Sequence, residues 1–178
     1  MKSDVILIDN QGKGFDEALK QTSKVAEYRQ LNQKDTLRLQ LMAEEMLSMA
    51  RSITGEMQAS FWIESEGLAF ELNMTTKTVM DKEKRYLLIS SSSSRKNEAA
   101  NSFLGKLRDA FEEAMTAEVD HDYFDLPVEL QADLAGRPIE NPEWDRYEKS
   151  VLLRLADNVK IGIRGGLVSM TVSKKFAE

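Results

Sequence analysis

The sequence predicts an α+β fold: a two-layer α/β sandwich with helices on one face of a mixed, mostly antiparallel sheet. Three observations predict it. Apolar residues recur at helical spacing through DTLRLQLMAEEMLSMARSI, residues 35–53. Directly after it, ASFWIESEGLAFELNM, residues 59–74, alternates apolar and polar residues with the period of two that a half-buried strand requires. Near the other end, Arg164-Gly165-Gly166 separates two further β-type runs, and paired glycines supply the positive φ angles of a tight hairpin turn.

Taken in order, Val5 to Ile8 reads as a short strand closed by the turn composition Asn10-Gln11-Gly12. Gly14 leads into a helix from Phe15 to Gln30, with Phe15, Leu19, Val25 and Ala26 on one face. Asp35 is the expected N-cap of a second helix, Thr36 to Ile53, because its carboxylate can accept first-turn amide protons. Leu39, Met42, Ala43, Met46, Met49, Ala50 and Ile53 form its buried stripe, and Gly55 ends it. Strands over 59–64 and 68–74 turn at Ser65-Glu66-Gly67. A short helix follows from Met80 to Ile89, then the run Ser90 to Ser94, read as a loop because serine hydroxyls compete for backbone hydrogen bonds. A long helix spans Glu98 to Val119, followed by an acidic connection, Asp120 to Glu140, with the length of a lid or docked arm. Asn141-Pro142 opens a last helix with Trp144, Tyr147, Val151, Leu152 and Leu155 inward. Strands Val159 to Ile163 and Leu167 to Val172 complete the chain, and Lys174-Lys175 is read as guarding a sheet edge. One domain, 1–178, is expected, with a variable insert over about 75–141.

At 178 residues the chain can bury a full core without staples. It has no cysteine, which excludes disulfides, thiol nucleophiles and thiolate metal sites and fits a reducing compartment. With 24 basic and 30 acidic residues the net charge is −6, which argues against broad nucleic-acid binding. The opening MKSDVILIDN, interrupted by Asp4 and Asp9, is not a secretory signal, and no run approaches the ~20 apolar residues of a membrane helix. The expectation is a cytoplasmic protein with neither nucleic-acid nor membrane partner.

The element order strand, helix, helix, hairpin, variable middle, helix, hairpin resembles the ATPase fold shared by histidine kinases, gyrase-type ATPases and anti-sigma factor serine kinases. It is most similar to the last, through LRLQLMAEEMLSMA (37–50) and LRLADNVKIGIRGGLVSMTVSKKF (153–176). The resemblance implies a helix reading approximately Glu-x-x-x-Asn, whose glutamate serves as general base or orients the attacking group and whose asparagine holds Mg²⁺ against a triphosphate. Glu45 matches the glutamate, but Met49 stands at the asparagine position. A thioether is a poor ligand for a hard cation. The family's Asp-x-Gly-x-Gly segment, which reads adenine, corresponds to Asn73-Met74-Thr75-Thr76-Lys77, without the glycines. The glycine-rich phosphate loop corresponds to Tyr147-Glu148-Lys149-Ser150, which has none.

The candidate site is therefore Glu45 as the catalytic position, with Asn73, Met49 and Thr76 as the altered nucleotide pocket and no metal. Function resides in sites rather than folds. The reading is thus a non-catalytic regulatory or protein-interaction domain on an ATPase-like scaffold, with no cofactor and a protein partner bound through the middle region, a homodimer being one form. The alternatives are an ATP- and Mg²⁺-binding serine kinase with a rebuilt pocket around Glu45 and Asn73, or a small-ligand binder in the same cavity. Glu44 is expected in solvent. Asp120-His121-Asp122 with Glu118 and Asp125 reads as a solvated acidic loop before a metal site, and Ser90 to Ser94 with Arg95-Lys96 as linker before a phosphate cradle or phosphorylation site.

Overall fold

The computed structural model of the protein describes residues 1–9, 11–54, 58–100 and 151–177. Its strands are β1 (Ile6–Ile8), β2 (Ala59–Glu66), β3 (Ala69–Lys77), β4 (Asn158–Arg164) and β5 (Leu167–Lys175). Its α-helices are α1 (Phe15–Tyr28), α2 (Gln33–Thr54), α3 (Lys82–Ser90) and α4 (Val151–Leu155), with a 3₁₀ turn at Glu98–Ala100. The strands form one sheet in the order β1-β2-β3-β5-β4, and each neighbouring pair is antiparallel. α1 touches β1, β2 and α2, while α2 also touches α3 and α4. Helices over a sheet with a shared core is the predicted two-layer α+β class. No helix among the described residues is long and apolar enough to cross a membrane.

The core sits between the layers. Phe61 and Ile63 of β2, Phe70, Leu72 and Met74 of β3, Val168, Met170 and Val172 of β5, and Val159, Ile161 and Ile163 of β4 are all buried. They are alternate residues on their strands, so they share the face toward the helices. From α2 they meet Leu39, Met42, Ala43, Met46, Leu47 and Met49. Fully burying one side chain of this size contributes about 1.5–3 kcal/mol, so this seam is a large stabilising element.

The structure corrects several boundaries. α2 begins at Gln33, and Asn32 caps it: its Oδ1 accepts the Asp35 N–H at 2.9 Å, while its amide donates to the Asp35 carboxylate at 2.8 Å. Asn32 wins because it alone can accept from the third helical amide while its own carbonyl accepts from Thr36. The first hairpin turns at Gly67-Leu68 rather than 65–67, because β2 keeps its pairing out to Glu66 opposite Ala69. β3 runs on to Lys77, so the expected insert boundary at 75 falls inside a strand. Thr75 and Thr76 continue the alternation, and Thr76 is buried. Val151 is exposed rather than inward. β5 lies inside the sheet between β3 and β4, so Lys174 and Lys175 guard no edge. Lys174 instead pairs with Asp157 at 2.7 Å.

The serine run is no plain linker. Ser91 and Ser92 are buried as they leave α3, and the segment that follows bonds to the outer edge of β4. Asn10, Gly55, the side chains of Ala50 and Ile53, the part of the expected long helix beyond Ala100, the expected acidic connection with His121, and the stretch from Asn141 to Ser150 lie outside the described residues.

Candidate functional site

α2 brings Glu45 and Met49 one turn apart. Met49 is buried in the core at 7 % exposure, among the apolar residues of the helix–sheet seam. Glu45 is half-buried and, among the described residues, has no hydrogen-bond or ion-pair partner. Glu44 is exposed, as expected. The stripe explains the difference. Positions 42, 46 and 49 face the sheet, Glu45 lies at the margin of that face, and Glu44 lies beyond it.

Thr76 shares the helix-facing side of β3 with Leu72 and Met74. It is 2 % exposed, and its hydroxyl donates to the Gln58 carbonyl at 3.1 Å. Asn73 is an odd-numbered neighbour and so points to the other face of the sheet. There it sits in register between Trp62 of β2 and Thr171 of β5. Its Oδ1 accepts the Thr171 hydroxyl at 2.9 Å, and its amide donates to the Glu71 carbonyl at 3.2 Å. The structure thus places Met49 and Thr76 on the inner side, with Glu45 at its margin, and Asn73 on the outer side, its carboxamide bonded within the sheet.

The donor set does not fit the Mg²⁺ that the resemblance implies. The position where an amide oxygen is expected carries a buried sulfur, and a hard cation wants oxygen in near-octahedral array. Among the described residues no group of three or more His, Cys, Asp or Glu could hold a metal ion.

A surface hollow of about 640 Å³ lies elsewhere, at the turn end of β2 and β3, lined by residues including Lys2, Arg29, Glu64, Ser65 and Glu71. Arg29, at the end of α1, donates through Nε to the Ser65 hydroxyl at 3.0 Å and through an η nitrogen to the Ser65 carbonyl at 2.8 Å. The Trp62 indole N–H donates to Glu64 at 2.9 Å, and Lys2 pairs with the same carboxylate at 3.1 Å. Those two contacts, the indole first, hold the Glu64 carboxyl below its ordinary range. Each cation here already meets an oxygen, so the cluster ties α1 and the first residues to the hairpin. Sequence reasoning missed it because Arg29 lies 36 positions from Ser65 and Met1 lies 64 from it, and only Ser65 breaking the apolar alternation of β2 hinted at a polar partner.

No protein-family model matches the chain, and neither a curated protein nor a solved structure matches it.

Proposed function

We propose that this chain is a non-catalytic regulatory domain that binds a protein partner and uses an ATPase-like scaffold without its nucleotide chemistry. The observation that carries the proposal is the separation of Asn73 from Glu45 by the sheet. An adenine reader on the outer face cannot serve a phosphate-activating carboxylate on the inner one. Met49 supports the same reading, since a buried thioether fills the space of a cation ligand. On this reading the partner engages the segment from Thr75 to Asn141, whose described part exposes Val79 at 85 % and Tyr86 at 53 %.

A thermal-shift titration with ATP and Mg²⁺ tests the proposal. A ligand at 100 times its dissociation constant stabilises the native state by about 2.7 kcal/mol. The expected result is an unchanged melting temperature up to millimolar nucleotide. A saturable rise that Glu45→Ala abolishes would overturn the proposal in favour of a rebuilt nucleotide pocket.

A further inference from the structure

The edge strand β4 is held from outside by two residues of one short segment. Ser93 donates its backbone N–H to the Val159 carbonyl at 2.8 Å, and its hydroxyl accepts the Val159 N–H at 2.7 Å. Asn97 repeats the arrangement four residues later. Its carboxamide donates to the Ile163 carbonyl at 2.9 Å and accepts the Ile163 N–H at 2.8 Å. The spacing is four residues on both sides, so the segment runs alongside β4 in the same direction.

The segment is not itself a strand. Arg95 between the two clamps has a φ of 51°, in the left-handed region, which interrupts any continuous ladder. Alternate residues of a strand turn their N–H and C=O toward the same neighbour. Ile161, midway between Val159 and Ile163, therefore presents its backbone pair to this edge, and among the described residues the segment's hydrogen bonds to β4 fall on Val159 and Ile163.

Beneath this cover lies an edge well suited to pairing. Val159, Ile161 and Ile163 are apolar and buried, and β4 contains no proline. Lys160 is its one charged residue before Arg164. An edge of this kind, once left unpaired, templates pairing with another chain. A two-fold axis through Ile161 would set Val159 opposite Ile163 of a second copy and Lys160 opposite Gly162 of that copy. No like charges then face each other, which is the usual obstacle to such pairing. The apolar row facing the helices would continue across the junction.

We propose that Ser93 and Asn97 form a releasable cover over β4, and that with the cover off the strand pairs antiparallel with β4 of a second copy. The cover makes the monomer. Its release makes a dimer whose sheet runs through both copies. This inference does not depend on whether the chain binds nucleotide.

The double variant Ser93→Ala/Asn97→Ala removes the three side-chain bonds to β4 and tests the proposal by light scattering over a concentration series. The expected result is a concentration-dependent species of twice the monomer mass that the parent lacks. Amide exchange should then show the Ile161 N–H slowed at least about tenfold in that species, because it has gained a strand partner. A folded variant that stays monomeric at every concentration would overturn the proposal. So would a dimer in which the Ile161 amide exchanges as fast as in the parent, since that dimer forms elsewhere. Should circular dichroism show the double variant unfolded, Asn97→Asp serves instead. It keeps the acceptor for the Ile163 and Ala99 amides and removes the donor to the Ile163 carbonyl, and the same two outcomes decide.

Discussion

The Thr171 hydroxyl donates to Oδ1 of Asn73 at 2.9 Å across adjacent strands, on the sheet face turned away from α2. Asn73 is only 9 % exposed, so an acceptor stripped of this donor is poorly rehydrated. A double-mutant cycle on Asn73→Ala and Thr171→Val is expected to give a coupling of about 0.5–1.5 kcal/mol, the usual net worth of one such bond. Urea unfolding of the four proteins measures it. Simple additivity would mean that the pair does not act as a unit in solution.

Gly12 and Gly14 share a φ of 84° but differ in surroundings. A Cβ on Gly12 meets nothing within 4 Å, whereas one on Gly14 would lie 2.2 Å from the Leu7 carbonyl oxygen of β1. Gly12→Ala is expected to cost about 1–2 kcal/mol, the left-handed penalty alone. Gly14→Ala adds a backbone collision at the start of α1, and the loss should exceed that of Gly12→Ala by at least about 1 kcal/mol. Equal midpoints in chemical denaturation would show that the turn relaxes freely away from β1.

Asp157 accepts from Lys174 Nζ at 2.7 Å and from the Lys175 backbone N–H at 2.8 Å. The lysine contact first, and the amide second, hold its carboxyl below the ordinary aspartate range. A depressed folded value means the unfolded chain binds the proton more readily. The stabilisation is therefore complete above the unfolded aspartate pKa of about 3.9 and is lost as pH falls through the lower folded value. Asp157→Asn should be less stable than the parent by a constant amount near neutrality, with the gap closing as the pH drops below about 4. The Glu64 carboxyl, also depressed, is common to both proteins and cancels. A gap that persists unchanged in acid would remove the charge from the explanation.

The hairpins and α2 were legible in the sequence because each carries its own periodicity. The turn at Gly165-Gly166 was legible because both residues take positive φ. Strand order was not, since nothing local to Leu167–Lys175 says that it pairs on two sides. The serine segment misled for a related reason. Its composition is that of a loop, yet Ser93 and Asn97 use their side chains as a strand would use its backbone, on residues 66 positions away. The candidate site was half legible. Helical spacing placed Met49 in the seam and Glu45 at its margin. The alternation along β3 already put Asn73 out of phase with Leu72 and Met74, and a pocket inferred by resemblance concealed that consequence.

Met49 gives the sharpest contrast between scaffold and site. If the buried position were merely a lost ligand, Met49→Asn would restore cation binding at little cost. With Met49 at 7 % exposure among apolar neighbours, the carboxamide would instead enter the core without the hydrogen-bond partners it needs, a burden of about 1–3 kcal/mol beyond the lost packing. Met49→Leu nearly conserves volume and should cost less than about 1.5 kcal/mol. Met49→Asn is therefore expected to be the less stable of the two by at least about 1 kcal/mol, and to show no melting shift with ATP and Mg²⁺, because Asn73 still lies across the sheet. Denaturant midpoints of both variants, with and without nucleotide, check the two statements together. A Met49→Asn protein as stable as the leucine variant, or one stabilised by the nucleotide, would place a solvated pocket where the core now closes.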